Sequence, residues 1–141
     1  MARHVVDLEP RWADMDAYGH VNNVTWLEYL QEGRVDMFFV HAPSRGTERL
    51  AEGMVVAHAE ISYRKPLAFR PEPVRIEMWV SSIGTASFTV AYEVVDVADD
   101  GTRTTYVTAS TVLVPVTLAD GRPRRVSEQE RAVLEAFDDP V

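Results

Sequence analysis

One segment of the chain, residues 23–41, limits the folds that the sequence can adopt. Apolar residues recur there with helical spacing and cover well over half of the helix circumference: Trp26, Leu27, Tyr29, Leu30, Met37, Phe38 and Val40. A helix that is apolar on most sides must be enclosed by other structure. The sequence therefore predicts a long buried helix around which the rest of the chain folds.

The expected ends of this helix follow from capping and stop signals. Asn22, Asn23 and Thr25 are all residues that cap helices, and Thr25 with Glu28 has the spacing of a capping box. Pro43 follows the last apolar residues and is a stop signal. We expect the helix to run from about residue 23 to residue 41.

The period changes to two on both sides of the helix, as is typical of strands. A short strand is predicted over residues 5–12, and four more follow the helix over about 55–63, 74–81, 87–94 and 102–116. Asp99-Asp100-Gly101 is a hairpin turn signal. Ser127 to Glu130 form a capping box that opens a short C-terminal helix, about 128–137.

Strands in series that are joined by short turns form antiparallel sheets. The predicted fold class is therefore α+β, with a five-stranded antiparallel sheet wrapped around one long central helix. We treat residues 1–141 as a single domain whose core covers about 5–116, because no repeat or linker interrupts the pattern.

Composition excludes several kinds of function. The chain has no cysteine, which removes disulfides, thiolate metal sites and cysteine nucleophiles. Twenty-two acidic against 14 basic residues give a net charge of −8, which argues against nucleic-acid binding. No apolar run approaches the length of a membrane helix, and residues 1–10 lack the apolar stretch of a signal peptide. A cytoplasmic protein without membrane contact is expected.

The densest polar cluster, Asp14 to Asn23, lies where the buried helix begins. A carboxylate beside the amides of a helix N-terminus is suited to act as a general base or nucleophile. A plain turn with a helix cap is an equally good interpretation of the spacing alone. A calcium loop fails, because Thr25 occupies the position of the bidentate glutamate. The four histidines lack metal-ligand spacing, so no metal is expected.

The cluster and the helix together resemble a known family. The stretch D-M-D-A-Y-G-H-V-N-N, followed by Tyr29, by Glu28 or Glu32, and by Arg34, is similar to the N-terminal signature of hot-dog-fold acyl-CoA thioesterases of the 4-hydroxybenzoyl-CoA thioesterase type. The order strand, helix, four strands also matches that fold. This resemblance implies a thioester hydrolase that forms a homodimer or homotetramer, with coenzyme A bound only as part of its substrate.

The same resemblance implies which residues form the site. Asp16 occupies the position of the catalytic carboxylate. His20 is expected to orient Asp16 or to assist the leaving thiolate. Substrate contacts are expected from a second set of residues: Tyr18, Asn22, Asn23, Val24, Tyr29, Arg64 and Lys65. Plant acyl-carrier-protein thioesterases have an asparagine where this chain has Tyr18, so that role is not carried over.

Two features leave the substrate and the reaction class open. The 4-hydroxybenzoyl enzyme has a basic run where this chain has Ile83-Gly84-Thr85-Ala86, so Arg64, Lys65 and Arg70 become the first candidates for binding the coenzyme A phosphates. A hot-dog hydratase or dehydratase is the alternative enzyme, although the spacing of His20 from Asp14 and Asp16 does not fit one. A non-catalytic acyl-CoA-binding module is the third hypothesis.

Overall fold

The computed structural model describes residues 2–42 and 53–139. Strand β1 (His4–Leu8) leads through a 3₁₀ turn (Trp12–Asp14) into helix α1 (Asn23–Val35). The chain then continues as a π-helical segment (Asp36–His41). No helix within the described ranges is long and apolar enough to cross a membrane.

The remaining elements are mostly strands. Four long strands follow in the chain: β2 (Met54–Tyr63), β3 (Val74–Ile83), β4 (Phe88–Val97) and β5 (Arg103–Thr117). A two-residue strand, β6 (Arg122–Pro123), and helix α2 (Glu128–Glu135) come after them. Ser127 caps α2 through the predicted capping box with Glu130.

The long strands form one antiparallel sheet in the order β1-β3-β4-β5-β2. This confirms the prediction of a five-stranded antiparallel sheet with one long helix, and β6 adds a short pairing to β5. β1 and β2 are the two edges of the sheet, although both come early in the chain. Among the described strands, β2 pairs with β5 alone, from Met54 opposite Pro115 to Tyr63 opposite Val107.

The core lies between one face of the helix and the sheet. Leu30, Met37 and Phe38 are completely buried, as are Ile76 and Met78 of β3. Gly33 allows a close approach here, because a β-carbon at this position would lie 2.8 Å from the sulfur of Met78. The apolar pattern of residues 23–41 thus provides the main contact with the sheet.

The first strand is shorter than the predicted 5–12. It ends at Leu8, and Trp12 lies in the 3₁₀ turn with 76% of its surface exposed. Pro10 explains the difference, because proline has no N–H to donate to a neighbouring strand. The alternation of Trp12 with its neighbours did not reflect a sheet position.

The helix ends also differ from the prediction. Asn22 is the cap, since its side chain accepts a hydrogen bond from the N–H of Val24, and Thr25 lies inside α1. The capping box expected for Thr25 and Glu28 is therefore wrong. At the other end the described helix continues to Ala42, and the predicted stop at Pro43 lies outside the described residues.

One side of the helix is not enclosed, contrary to the expectation of a largely enclosed helix. Exposed apolar side chains follow each other at helical spacing along it: Val24, Leu27, Val35 and Phe39. Strand β2 also has exposed apolar side chains. Val55 and Val56 are both nearly half exposed, although they point to opposite faces of the sheet. The described residues, 2–42 and 53–139, therefore leave an apolar helix stripe and apolar side chains of the edge strand partly exposed.

Candidate active site

Asp16 lies in a tight loop between the 3₁₀ turn and α1. Its backbone N–H donates to the carbonyl of His20 at 2.8 Å, and its carbonyl accepts from Gly19 at 3.0 Å. Its side-chain Oδ1 accepts the N–H groups of Tyr18 at 2.9 Å and of His20 at 3.3 Å. Within the described part of the chain no hydrogen bond reaches Oδ2, so the loop orients the carboxylate through Oδ1 alone.

Asp14, two positions earlier, is in a different environment. It is 3% exposed, and both of its oxygens are occupied by Arg11. The hydroxyl of Tyr29 also donates to Oδ2 at 2.6 Å. Burial raises the pKa of Asp14, but the hydrogen bonds from Arg11 and Tyr29 outweigh it, so the pKa lies below its ordinary value. Asp14 is therefore charged at neutral pH, and its bond from Tyr29 ties the loop to α1.

The N-terminus of α1 lies beside the Asp16 loop. The side chain of Asn22 accepts the N–H of Val24 at 2.9 Å, and its backbone N–H donates to the carbonyl of Asp14 at 3.0 Å. The N–H groups of Asn23 and Thr25 lie in the first turn, where an α-helix provides no carbonyl partner. These amides carry partial positive charge and are suited to bind an anionic oxygen.

A cavity of about 280 Å³ connects these groups. Its lining combines the loop, the helix N-terminus and the segment after β2: Asp16, His20, Val21, Asn23, Trp26, Tyr63, Arg64, Lys65 and Pro66. The bridge between His20 and Ala68 brings that segment against the loop. A carboxylate, an imidazole, helix amides and two cations therefore face one space.

The other predicted substrate residues, Tyr18, Asn22, Val24 and Tyr29, are not part of the lining of this cavity. Tyr18 is 85% exposed at the tip of the loop, and Val24 is exposed on the open side of α1. Tyr29 is buried, and burial together with its bond to Asp14 raises the pKa of its hydroxyl. Arg70 donates to both oxygens of Asp96 at 2.6 Å, so its charge is used inside the protein.

Residues 10–137 match a protein family described as the Thioesterase-like superfamily. The match covers nearly all of the chain, including the loop, the helix and the sheet. The chain belongs to the thioesterase-like superfamily. It is a thioester hydrolase by this membership, and the resemblance noted in its sequence is confirmed. Among curated proteins, no sequence matches it.

Solved structures agree with the family. The present chain is 32% identical to a Pseudomonas aeruginosa protein that is considered a thioesterase. The comparison covers 92% of this chain and 95% of that chain, with a TM-score of 0.75. A Thermus thermophilus thioesterase, solved with coenzyme A and zinc, is 26% identical over 97% of this chain and 96% of that chain, with a TM-score of 0.77.

A third structure confirms the hot-dog fold. It is an aspartate-to-asparagine mutant of 4-hydroxybenzoyl-CoA thioesterase in complex with 4-hydroxybenzoyl-CoA, which is 15% identical over 94% of this chain and 98% of that chain. Its TM-score of 0.78 shows that the two chains share a fold. The present chain therefore has the hot-dog fold that its sequence predicted.

Sequence reasoning missed how Tyr63 contributes to the site of this thioesterase. Its hydroxyl donates to the carbonyl of Asn23 at 2.9 Å, which ties the end of β2 to the first turn of α1. Backbone bonds from Arg64 and Lys65 to the carbonyl of Tyr106 fix the segment that follows. The sequence placed Tyr63 in a strand and allowed it a position in an acyl pocket, but the bond to Asn23 could not be predicted, because the two residues are 40 positions apart.

Two further cavities of the thioesterase extend along the open side of α1. One of about 280 Å³ lies between Val24, Leu27 and Val56, and another of about 520 Å³ lies between Val35, Phe39 and β2. Gln31 and Arg34 line both of them. A groove that is mostly apolar therefore runs from the helix N-terminus towards its other end.

Proposed function

We propose that this thioesterase hydrolyses acyl-CoA, with Asp16 as general base or nucleophile, in a site at the interface of a homodimer. One observation carries the proposal: Asp16 shares its cavity with the first turn of α1 and with two cations. An acyl thioester combines a carbonyl, an acyl chain and a phosphorylated carrier, and each part finds a suitable group in this region.

The reaction requires a nucleophile at the thioester carbonyl carbon. Either Asp16 takes a proton from water, whose oxygen adds to this carbon, or Asp16 adds itself and water then opens the resulting anhydride. In both routes the carbon–sulfur bond breaks and the thiolate leaves with the bonding electrons. The first-turn amides of Asn23 and Thr25 are the proposed stabilisers of the oxyanion. His20 is the proposed proton donor to the thiolate.

Coenzyme A is the proposed carrier because Arg64 and Lys65 are exposed at the cavity. The side chain of Arg64 is fixed by a bond from Nε to the hydroxyl of Thr108 at 3.2 Å. Cations placed beside the reaction centre favour a substrate that carries phosphates. Two similar thioesterases were solved with coenzyme A or an acyl-CoA bound, which supports the same choice.

A second copy of the chain is the proposed cover for the open side. β2 is an edge strand and presents unpaired backbone groups, which a second β2 can satisfy by antiparallel pairing. The exposed stripe of α1 lies next to this edge, so one contact would bury both apolar surfaces. Because β2 ends at Tyr63 in the cavity, the partner subunit would lie beside the active site.

Replacement of Asp16 by asparagine tests the central role. Asparagine keeps an oxygen that accepts the N–H groups of Tyr18 and His20, so the loop is expected to fold normally. The turnover number for an acyl-CoA should fall by about 100-fold or more, as free-thiol release would show. Asp99→Asn, in the exposed turn between β4 and β5, is the matched control and should retain the original rate. An unchanged rate in Asp16→Asn would reject the assignment.

Heavy-oxygen water tests for direct attack by Asp16. In a single turnover with enzyme in excess, direct attack followed by opening of the anhydride at the aspartyl carbon leaves the solvent oxygen in the Asp16 carboxylate and the aspartate oxygen in the product acid. Activation of water, or opening of the anhydride at the acyl carbon, places the solvent oxygen in the product instead, so that label in Asp16 establishes direct attack. Mass spectrometry of the peptide that contains Asp16 distinguishes these outcomes.

Lys65→Ala tests whether Lys65 binds the phosphates of coenzyme A. The KM for acyl-CoA should rise about tenfold, which corresponds to about 1.4 kcal/mol of binding. The KM for the same acyl group on N-acetylcysteamine, which lacks phosphates, should not change. Arg125→Ala, an exposed arginine near α2, is the control. Equal effects of Lys65→Ala on both substrates would contradict phosphate binding.

A further inference from the structure

Three metal-ligating side chains meet at the end of the helix opposite the active site. His4 of β1 lies against Asp36 and His41 of the π-helical segment, and the candidate ligand atoms of all three are within 4.8 Å of one another. The Nε2 atom of His4 is 2.8 Å from Oδ2 of Asp36. The Nδ1 atom of His41 is 3.3 Å from the same oxygen. We call these three residues the His4 cluster.

The π-helical turn is what joins two of the members. Residues five positions apart are separated by about 140° around an α-helix, so Asp36 and His41 would not share a face of one. The wider turn brings them together, and Nδ1 of His41 also lies 3.0 Å from the carbonyl of Asp36. π-helical turns inside α-helices occur frequently at functional sites. The spacing of the histidines along the sequence could not reveal this grouping.

The geometry of the His4 cluster is close to that of a metal site. Zinc binds imidazole nitrogen and carboxylate oxygen at about 2.0–2.2 Å, so neighbouring ligands of a tetrahedral ion lie about 3.3 Å apart. Oδ2 of Asp36 lies 2.8 Å from Nε2 of His4 and 3.3 Å from Nδ1 of His41, and the three candidate ligand atoms lie within 4.8 Å of one another. Rotation of the three side chains would let them surround an ion. Two imidazoles and one carboxylate are ligands suited to zinc and to cobalt, nickel or copper.

The burial of the two histidines is also suited to a metal site. The side chain of His4 is 6% exposed and its ring packs against Phe137, whereas the side chain of His41 is 47% exposed. One buried ligand and one accessible ligand provide a fixed point and an entry path. Three protein ligands leave a further position for water or for another donor.

We propose that the His4 cluster binds a divalent transition-metal ion such as Zn²⁺. The ion would join the start of β1 to the end of the helix and thereby stabilise the fold. Helix α1 alone places this site about 18 Å from the N-terminal amides next to Asp16, so the site is separate from thioester hydrolysis. The proposal does not depend on the proposed catalytic roles.

Metal titration of the full chain tests the proposal. Protein that has been dialysed against a chelator should bind one Zn²⁺ per chain with micromolar or tighter affinity in calorimetry. Co²⁺ should give the visible absorption bands of a tetrahedral nitrogen and oxygen site. Zn²⁺ should also raise the Tm by several degrees. Absence of saturable binding would show that the cluster is only a hydrogen-bonded group.

Variants locate the ion. Asp36→Asn and His41→Gln should each weaken Zn²⁺ binding by more than about tenfold. His58→Gln is the matched control, because His58 lies on β2 next to Glu60 and outside the cluster. His41 is accessible enough for its variant to fold, which circular dichroism of the metal-free protein would verify. Equal loss in His41→Gln and His58→Gln, or no loss in either cluster variant, would overturn the proposal.

Discussion

Asp14 and Asp16 stand two positions apart and have opposite surroundings. Asp14 is 3% exposed, and both of its oxygens accept hydrogen bonds from Arg11, with Tyr29 as a further donor to Oδ2. Asp16 lines a cavity, and its hydrogen bonds within the described residues reach Oδ1 alone. The surroundings of the two carboxylates therefore separate a structural aspartate from the aspartate that we propose to react, although the sequence motif contains both.

Asp14→Asn should reduce stability rather than chemistry. The variant loses the charge that Arg11 and Tyr29 hydrogen bond to, and a hydrogen bond to a charged group is worth about 1.5–3 kcal/mol. We expect the free energy of unfolding in urea to fall by about 2–3 kcal/mol. Asp16→Asn, measured in the same way, should change it by less than about 0.5 kcal/mol. Similar stability losses in both variants would contradict the division of roles.

The environment of Glu130 makes the stability of the protein depend on pH. This carboxylate is completely buried, and Arg124 donates to its two oxygens at 2.7 and 2.8 Å. Burial raises the pKa of Glu130, but the bonds from Arg124 and Ser127 lower it by more, so it lies below the ordinary value. The stabilisation is therefore present above a pH of about 4.3, the unfolded pKa of glutamate, and is lost as the pH falls through the folded pKa.

Glu130→Gln should remove this part of the pH dependence. At neutral pH we expect it to lower the free energy of unfolding by about 3 kcal/mol, because Arg124 loses its charged partner. The decline in stability of the wild type between about pH 5 and pH 3 should become shallower in the variant. Glu135→Gln, at the exposed end of α2, is the control and should follow the wild type at each pH.

At the scale of elements, the patterns that predicted correctly are those decided by local chemistry. The alternation of residues 74–81 and 87–94 reports burial on one face of a sheet, and both segments are strands. The capping box of Ser127 and Glu130 satisfies backbone groups only a few positions away, and α2 begins there. Pro10 is also a local signal, because its missing N–H ends β1 early.

Elements that depend on distant partners were not visible in the sequence. Apolar residues of α1 look alike in the sequence whether they are completely buried, as Leu30 is, or left 41% exposed by the described part of the chain, as Leu27 is. The π-helical turn at Asp36 carries no distinct periodicity. The candidate site divides in the same way. The sequence predicted both Asp16 and Lys65 as site residues, and both line one cavity. The bridge between His20 and Ala68, which brings the segment of Lys65 against the loop, could not be predicted because its two residues are distant in sequence.

At the scale of the whole molecule, the open edge predicts a dimer that a charge can disrupt. Val56→Lys places an ammonium group on the apolar edge β2, where a second copy would bury it at high cost. The variant should elute as a monomer in light-scattering chromatography, while the wild type shows twice the chain mass. Val5→Lys, on the opposite edge β1 and equally exposed, is the control. A wild-type monomer would contradict the proposed interface.

The strand order has a consequence for how the chain folds during synthesis. β2 leaves the ribosome early, yet its partner β5 is the last of the long strands to appear. Pairing between distant segments is slow because the closure of the intervening loop comes first. The β3–β4 hairpin is local and is complete before β5 appears, so α1 can pack against β3 early. β2 must wait for β5 with its apolar surface exposed. Chaperone demand in this protein should therefore be highest before Thr117 has been synthesised.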